Sequence, residues 1–399
     1  MKKILLMILD GVGDRPSKCL ENRTPLGAAR IPNIDSLIKN SLCGLMDSVG
    51  KGIKPESDNA HLSIFDYNLK KYYTGRGPLE ASGLEMKMNH GDIAFRANFA
   101  TIDDSGIIKD RRTGRIESVK PFVNKLNGMK IDGIKFLLKA GTSHRACLIM
   151  RGKGLGSKIS DNDPHKTGVK PILIKALNSG KEAKFTADVL NKFLEKANHI
   201  LDEMKLNKER NKQGKLKANY LLVRGAGIYK KIPTFKEKYK LNACCIAGGG
   251  LYKGVARATG MKILKVKGAT GTLETDINAK INAAINAFKK YNFVFVHIKG
   301  TDILGHDGKC KEKMEFIEKI DSKLKPIIKL KNTVIVITGD HSTPCRIKDH
   351  SADPVPLMIF CNKNDQIKHF SEKDCGAGSL GRILGTDLMP ILLKLAKNK

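Results

Sequence analysis

Short apolar runs separated by stretches of helical periodicity organise the chain. Residues 4–9, 220–223, Phe293–Ile298, Thr333–Thr338 and residues 357–361 are rich in β-branched side chains or Leu and read as buried strands. Across residues 189–204, Val189, Leu190, Phe193, Leu194, Ala197, Ile200, Leu201 and Met204 recur at spacings of three and four, which predicts an amphipathic helix of about four turns. His199 on that helix reads as an ordinary surface residue. Strands alternating with helices imply an α/β fold whose largely parallel sheet is covered on both faces. The stretch 78–215 differs, with mixed alternation and Gly-rich turns. It reads as a smaller domain inserted into a core made of residues 1–77 and 216–399, with the charged segment 205–217 as the return linker.

Composition narrows the class. The 399 residues suffice for two or three compact units. No apolar run approaches the roughly 20 residues of a membrane span, and the N-terminal run is too short for a signal peptide and meets Asp10, so a cytoplasmic protein without membrane contact is expected. Nine cysteines without a C-x-x-C pair suit reduced thiols. The formal charge of +32 raises the question of a nucleic-acid partner, but the excess is spread along the chain as 57 Lys against 15 Arg, with no basic arm, so none is expected. Arg96, Arg111, Arg112, Arg115, Arg145, Arg151 and Arg224 fall in one middle stretch, which points to a small anionic substrate held by guanidinium groups.

Three predicted strands run into acids: Asp10, Asp302, and Asp340 followed at once by His341. One Asp after a strand is ordinarily a turn or helix cap. Three of them would converge, because ligands of open parallel sheets bind beyond the carboxyl ends of the strands. His306 follows Asp302 by four residues and His350 follows Asp340 by ten. Carboxylates with imidazoles suit Zn²⁺ or Mn²⁺ better than Ca²⁺, and there are ligands enough for two ions, an arrangement that serves phosphoryl transfer. His297, inside an apolar strand, reads as a core residue, and His90, His165 and His369 have no fixed partner. In PESDNAHL, Ser57 opens a predicted helix, where it could act as N-cap and as a nucleophile placed near a phosphate.

Together LDGVGDRP, SDNAHLSIF, YTGRGPLEASG, FRANFATID, DRRTGRI, SHRACLIMRG, SDNDPH, LLVRGAG, GATGTLETD, HIKGTDILGHDG, TGDHSTPC, HSADPVP and CGAGSLGRILGTDLMPILL resemble, in order and over nearly the whole chain, the archaeal type of 2,3-bisphosphoglycerate-independent phosphoglycerate mutase of the alkaline phosphatase superfamily. The resemblance implies an alkaline-phosphatase-like core with a mostly parallel sheet flanked by helices and an inserted smaller α+β domain. It also implies interconversion of 3-phosphoglycerate and 2-phosphoglycerate through a phosphoserine on Ser57. Two divalent metal ions, Mn²⁺, Co²⁺ or Zn²⁺ with Mg²⁺ possible, would be held by Asp10, Ser57, Asp340 and His341, and by Asp302, His306 and His350. Arg96, Arg115, Arg145 and Arg224 with His144 are the implied substrate ligands, together with Lys267. SDNDPH offers Asp161 and Asp163 for proton transfer, and Asp163 is preferred. The insert would close over the site to exclude water. Two departures stand out: Glu56 precedes the nucleophile where Gly is usual, and Asp66-Tyr67-Asn68-Leu69 replaces GYDP. Other outcomes of the same chemistry are a phosphomonoesterase or a homoserine kinase, although GKGLGSK lacks phosphate-loop spacing.

Overall fold

In the computed structural model, which describes residues 1–397, the strand Lys3–Leu9 is buried along its length after Lys3. Its two alternating sets, Ile4, Leu6 and Ile8 against Leu5, Met7 and Leu9, both lie in apolar surroundings, as a central parallel strand requires. It pairs in parallel with Phe293–Ile298 on one side and Thr333–Thr338 on the other. Ala243–Ile246 and then Lys262–Ile263 continue the parallel run beyond Phe293–Ile298. Beyond Thr333–Thr338 come the antiparallel Val355–Phe360, then Ser41–Asp47 and Gly381–Leu384, completing eight strands. Helices Pro32–Ile38, Ile277–Ala287 and Cys310–Asp321 pack with Leu5, Met7 and Leu9 on one face. Ser57–Ile64, Gly250–Ala258 and Gly385–Lys397 cover the other. The core is therefore the expected mostly parallel α/β architecture. No helix among the described residues is long and apolar enough to cross a membrane.

The chain divides into two compact units, Met1–Tyr73 with Ile232–Lys399, and Thr74–Lys231. The second holds a six-stranded sheet in which Ile93–Ile102 pairs antiparallel with Arg145–Arg151, Tyr220–Ile228 and Ile108–Asp110. The helix Lys181–Glu203 packs on it, with Phe193 stacked on Phe136 at 4.0 Å between ring centres. Three expectations change here. The helix begins at Lys181, because Ala183, Thr186 and Ala187 continue its buried face with side chains too small to signal periodicity. Segment 205–217 is no linker: it carries the helix Lys205–Lys212, whose buried Asn207 donates to the Leu201 and Ala218 carbonyls. The strand at 220 belongs to this sheet, so the unit boundaries fall at 73/74 and 231/232 and not at 77/78 and 215/216. An apolar run marks a strand without saying which sheet will hold it.

The first unit's two functional loops are braced from beneath. Lys313, on helix Cys310–Asp321, donates to Asp14 Oδ2 at 2.8 Å and to the carbonyls of Gly13 and Thr343, while Asp14 accepts from the Cys345 N–H. Both members of this ion pair are buried. Lys313→Met leaves Asp14 without its cation in a dry place and is expected to cost about 3–5 kcal/mol, read by urea unfolding. A loss below about 1 kcal/mol, the value of a solvated pair, would refute the bracing role.

Candidate metal centre

The register of the sheet generates the site. Leu9 lies opposite Ile298, and Ile8 opposite Thr338, so Asp10, residues 299–302 and residues 340–341 emerge side by side at strands about 4.8 Å apart. Gly11 takes a left-handed φ of +62°, and a Cβ there would fall 2.4 Å from Thr343 Oγ1, so only glycine lets the loop pass. Its N–H donates to Asp340 Oδ1 at 3.1 Å.

Ser57 is the first residue of helix Ser57–Ile64, and Glu56, not Ser57, is the N-cap. The Glu56 side chain accepts from the backbone of Asn59, and the Glu56 N–H donates to Asn59 Oδ1 at 2.9 Å, a reciprocal capping box. That relieves Ser57 of capping. Its Oγ lies 3.2 Å from His341 Nε2. The departure at Glu56 thus has a structural use, with its carboxylate occupied by the cap and half exposed.

His341 Nε2 stands 3.3 Å from Asp10 Oδ1 and 3.4 Å from Asp340 Oδ2. In the second group, His306 Nε2 and His350 Nε2 lie 3.3 and 3.5 Å from Asp302 Oδ1. The rings of His341 and His350 stack at 3.7 Å, which places the groups side by side. Tautomers follow from the partners. His306 Nδ1 donates to the Lys348 carbonyl and His350 Nδ1 to the Pro55 carbonyl, both at 3.0 Å. Thr343 Oγ1 donates to Asp302 Oδ1 and accepts from His341 Nδ1 at 3.1 Å. All three imidazoles therefore have Nε2 free to bind a cation. Asp10 Oδ1 and Asp340 Oδ2 are buried with no hydrogen-bond donor, a condition a divalent ion would relieve. The residues present fit the metals expected of them. A further trio, His61, His297 and Asp340, also lies close together. His61 Nδ1 donates to the Ser57 carbonyl at 2.6 Å, so that nitrogen has no lone pair for a cation, and His61 orients the Ser57 backbone instead.

In the second unit, Arg76 and Arg96 both reach Glu80, at 3.0 and 3.7 Å, and Arg145 and Arg224 add their charge to the same neighbourhood. Burial, Arg76, Arg224 and Arg145 together bring Arg96 down to about 9 despite Glu80. Arg76, Arg96 and Arg145 act on the Glu80 carboxylate, while Arg224 faces Asp163 and Asp161, so four guanidinium groups are gathered where an anion would be attracted. Burial, with Arg145, Arg112 and Arg96, presses His144 down to about 4, leaving it neutral. Arg115 stands on the exposed turn Thr113–Arg115, outside these contacts. Asp163 makes a bidentate pair with Arg111 at 2.9 and 2.7 Å. Burial alone would raise its carboxyl, but Arg111 holds it below the ordinary range, which does not suit the proton carrier expected at Asp163. Asp161 is the opposite: burial lifts it, against the Gly225 N–H and Arg224. Lys267, on the first unit, is exposed and lines a cavity of about 260 Å³ with Lys253 and Lys265, which none of the metal-centre residues lines.

A model of the metalloenzyme superfamily matches residues 2–395. The chain is 44% identical over 400 residues to 2,3-bisphosphoglycerate-independent phosphoglycerate mutase 1 of Methanocaldococcus jannaschii, covering 98% of this chain and 97% of that protein. It belongs to the 2,3-bisphosphoglycerate-independent phosphoglycerate mutase family. The corresponding protein 1 of Archaeoglobus fulgidus is also 44% identical, over 98% of this chain and 97% of its own length. Among solved structures, the cofactor-independent phosphoglycerate mutase of Thermoplasma acidophilum shares 38% identity at a TM-score of 0.71, over 99% of this chain and all of that one. The PH0037 protein of Pyrococcus horikoshii shares 37% at a TM-score of 0.85, over all of this chain and 98% of that one.

For this mutase-family chain, four residues of the centre escaped the sequence reading. His297 is buried as a core residue would be, yet its Nε2 lies 3.2 Å from Asp10 Oδ2. Tyr252 and Lys299 reach the same oxygen, and His61 supports Ser57. Arg76 was likewise missed in the second unit. Lys299 alone carried a signal, three residues before Asp302 at a strand end. Burial opposes charge on His341, but Asp340 and Asp10 outweigh it and push the ring up to about 9. Below that pH a proton occupies the nitrogen that would hold a cation. Mn²⁺ affinity at this set should therefore rise about tenfold per pH unit through neutrality and level off above about 9. Calorimetry in buffers of different ionisation enthalpy reads the slope and the released proton, and a flat response would refute the assignment.

Proposed function

We propose that the protein is an isomerase that interconverts 3-phosphoglycerate and 2-phosphoglycerate, without 2,3-bisphosphoglycerate, through a phosphoserine on Ser57. The observation that carries this reading is the Ser57 hydroxyl, relieved of capping at a helix N-terminus and 3.2 Å from His341 Nε2. The relatives named above support the substrate. One divalent ion would be held by Asp10, Ser57, Asp340 and His341, a second by Asp302, His306 and His350, and Mn²⁺, Co²⁺ or Zn²⁺ suits such ligands. When bound, the ions lower the proton affinity of the serine hydroxyl and offset charge gathering on the phosphoryl oxygens.

The chain's own groups do the rest. Its hydroxyl proton already given up to solvent with the ions in place, Ser57 Oγ forms a bond to phosphorus as the bond to the glycerate oxygen breaks, and that oxygen takes a proton from Asp161. The glycerate turns over, its other hydroxyl returns a proton to Asp161, and its oxygen takes the phosphoryl group as the Ser57 Oγ–phosphorus bond breaks. Asp161 suits both transfers better than Asp163 because burial lifts its carboxyl above the ordinary carboxylate range while Arg111 holds Asp163 below it. Arg96, Arg145 and Arg224, with Arg76 beside them, would hold the glycerate carboxylate through its turn. Water reaching the phosphoserine would divert it to free phosphate, so the reading requires that water be kept from Ser57.

A coupled assay for 2-phosphoglycerate from 3-phosphoglycerate, with Mn²⁺ added and free phosphate followed in parallel, tests the reading. Chelator-sensitive turnover with little phosphate is expected. Phosphate without 2-phosphoglycerate would make the protein a phosphomonoesterase, and dependence on ATP a kinase. Ser57→Ala should abolish turnover while the protein still folds and takes up metal. Asp161→Asn should lower kcat by about 10²–10⁴-fold, and Asp163→Asn less; the reverse order would return the proton transfer to Asp163.

A further inference from the structure

One side chain touches both metal-ligand groups. Lys299 directly follows the strand Phe293–Ile298 and caps the helix Gly300–Asp307. Its Nζ donates to Asp10 Oδ2 at 3.1 Å, to Asp302 Oδ2 at 2.7 Å and to Tyr252 Oη at 2.9 Å, using all three of its hydrogens. The remaining oxygens point the other way: Asp10 Oδ1 faces His341 Nε2 at 3.3 Å, and Asp302 Oδ1 faces His306 and His350. Each carboxylate is split, one oxygen to the ammonium and one to the imidazoles of its own group. Tyr252 fixes the arrangement from the Asp10 side. Its hydroxyl donates to Asp10 Oδ2, and its ring stacks on His297 at 3.4 Å.

We propose that Lys299 is the shared positioning residue of both metal sites, gripping the outer oxygens of Asp10 and Asp302 so that each acid offers one inner oxygen to its ion. The proposal rests on the two-site reading of the centre. Without that grip either carboxylate could rotate and chelate with both oxygens, changing the number of positions left for substrate. The two sites are also tied through one side chain, so a change in Lys299 is felt at both. A mere counter-ion predicts the contrary. An ammonium beside incoming cations repels them, and removing it would tighten their binding.

The test is Mn²⁺ titration of the metal-free full-length protein by calorimetry, for wild type, Lys299→Met and Tyr252→Phe, with Asp340→Asn used to identify the step that belongs to the Asp302 set. Lys299→Met is expected to weaken both steps by about 10–100-fold, the usual effect of losing a ligand's supporting hydrogen bond. Tyr252→Phe removes one oxygen and should weaken only the Asp10 step, which keeps the proposal testable if Lys299→Met folds poorly. Unchanged or tighter binding in Lys299→Met, a loss confined to one step, or an unaltered Asp10 step in Tyr252→Phe would overturn it. Fewer than two Mn²⁺ bound by wild type would instead overturn the two-site reading, and the proposal with it.

Discussion

The repulsion among three acids at the ends of adjacent parallel strands governs this protein. Asp10 and Asp340 are fully buried and Asp302 nearly so, where unpaired negative charge is costly. Burial raises all three carboxyls. Lys299, His297 and His341 reverse this for Asp10, and Lys299, His306 and His350 reverse it for Asp302, despite the charge of Asp10. Asp340 stays raised by burial and by Asp10, against His341 and His61. Such a cluster calls for positive charge, and three imidazole nitrogens are turned towards it.

Holding the cluster also dictates the surrounding scaffold. Thr343 ties the groups together, its hydroxyl donating to Asp302 while accepting from His341. Beneath it, the Lys313–Asp14 pair joins the loop after the first strand to the loop after Thr333–Thr338. None of these groups is itself among the residues that would hold an ion. They fix the angle of those that are, which suits a site whose geometry must not relax when charge enters it.

The inserted unit solves the opposite problem. Arg76, Arg96 and Arg145 gather around the carboxylate of Glu80 with Arg224 nearby, and they keep their charge near neutral pH because guanidinium starts from so high a proton affinity. Buried acids thus crowd together in one unit, and guanidinium groups in the other.

Much of this was legible in the chain. Runs that end in Asp10, Asp302 and Asp340 announced both the strands and the acids, because a fully buried strand must be apolar throughout and its first exposed chemistry marks its end. His306 and His350 were legible from spacing to those acids. What a sequence cannot carry is which sheet a strand joins and which way a side chain turns. Tyr220–Ile228 reads as one more apolar run, and only antiparallel pairing with Ile93–Ile102 assigns it to the insert. Asp161 and Asp163 look alike two residues apart, and Arg111, far from them in sequence, decides which one is pinned as an anion. Tyr252, His297 and Lys299 reach Asp10 from two segments more than 240 residues beyond it in the chain. The sequence by itself determined the elements and the ligand types, since these follow from local periodicity and residue chemistry. Tertiary structure decided the partners, since hydrogen bonding and burial depend on distances that only the folded chain sets.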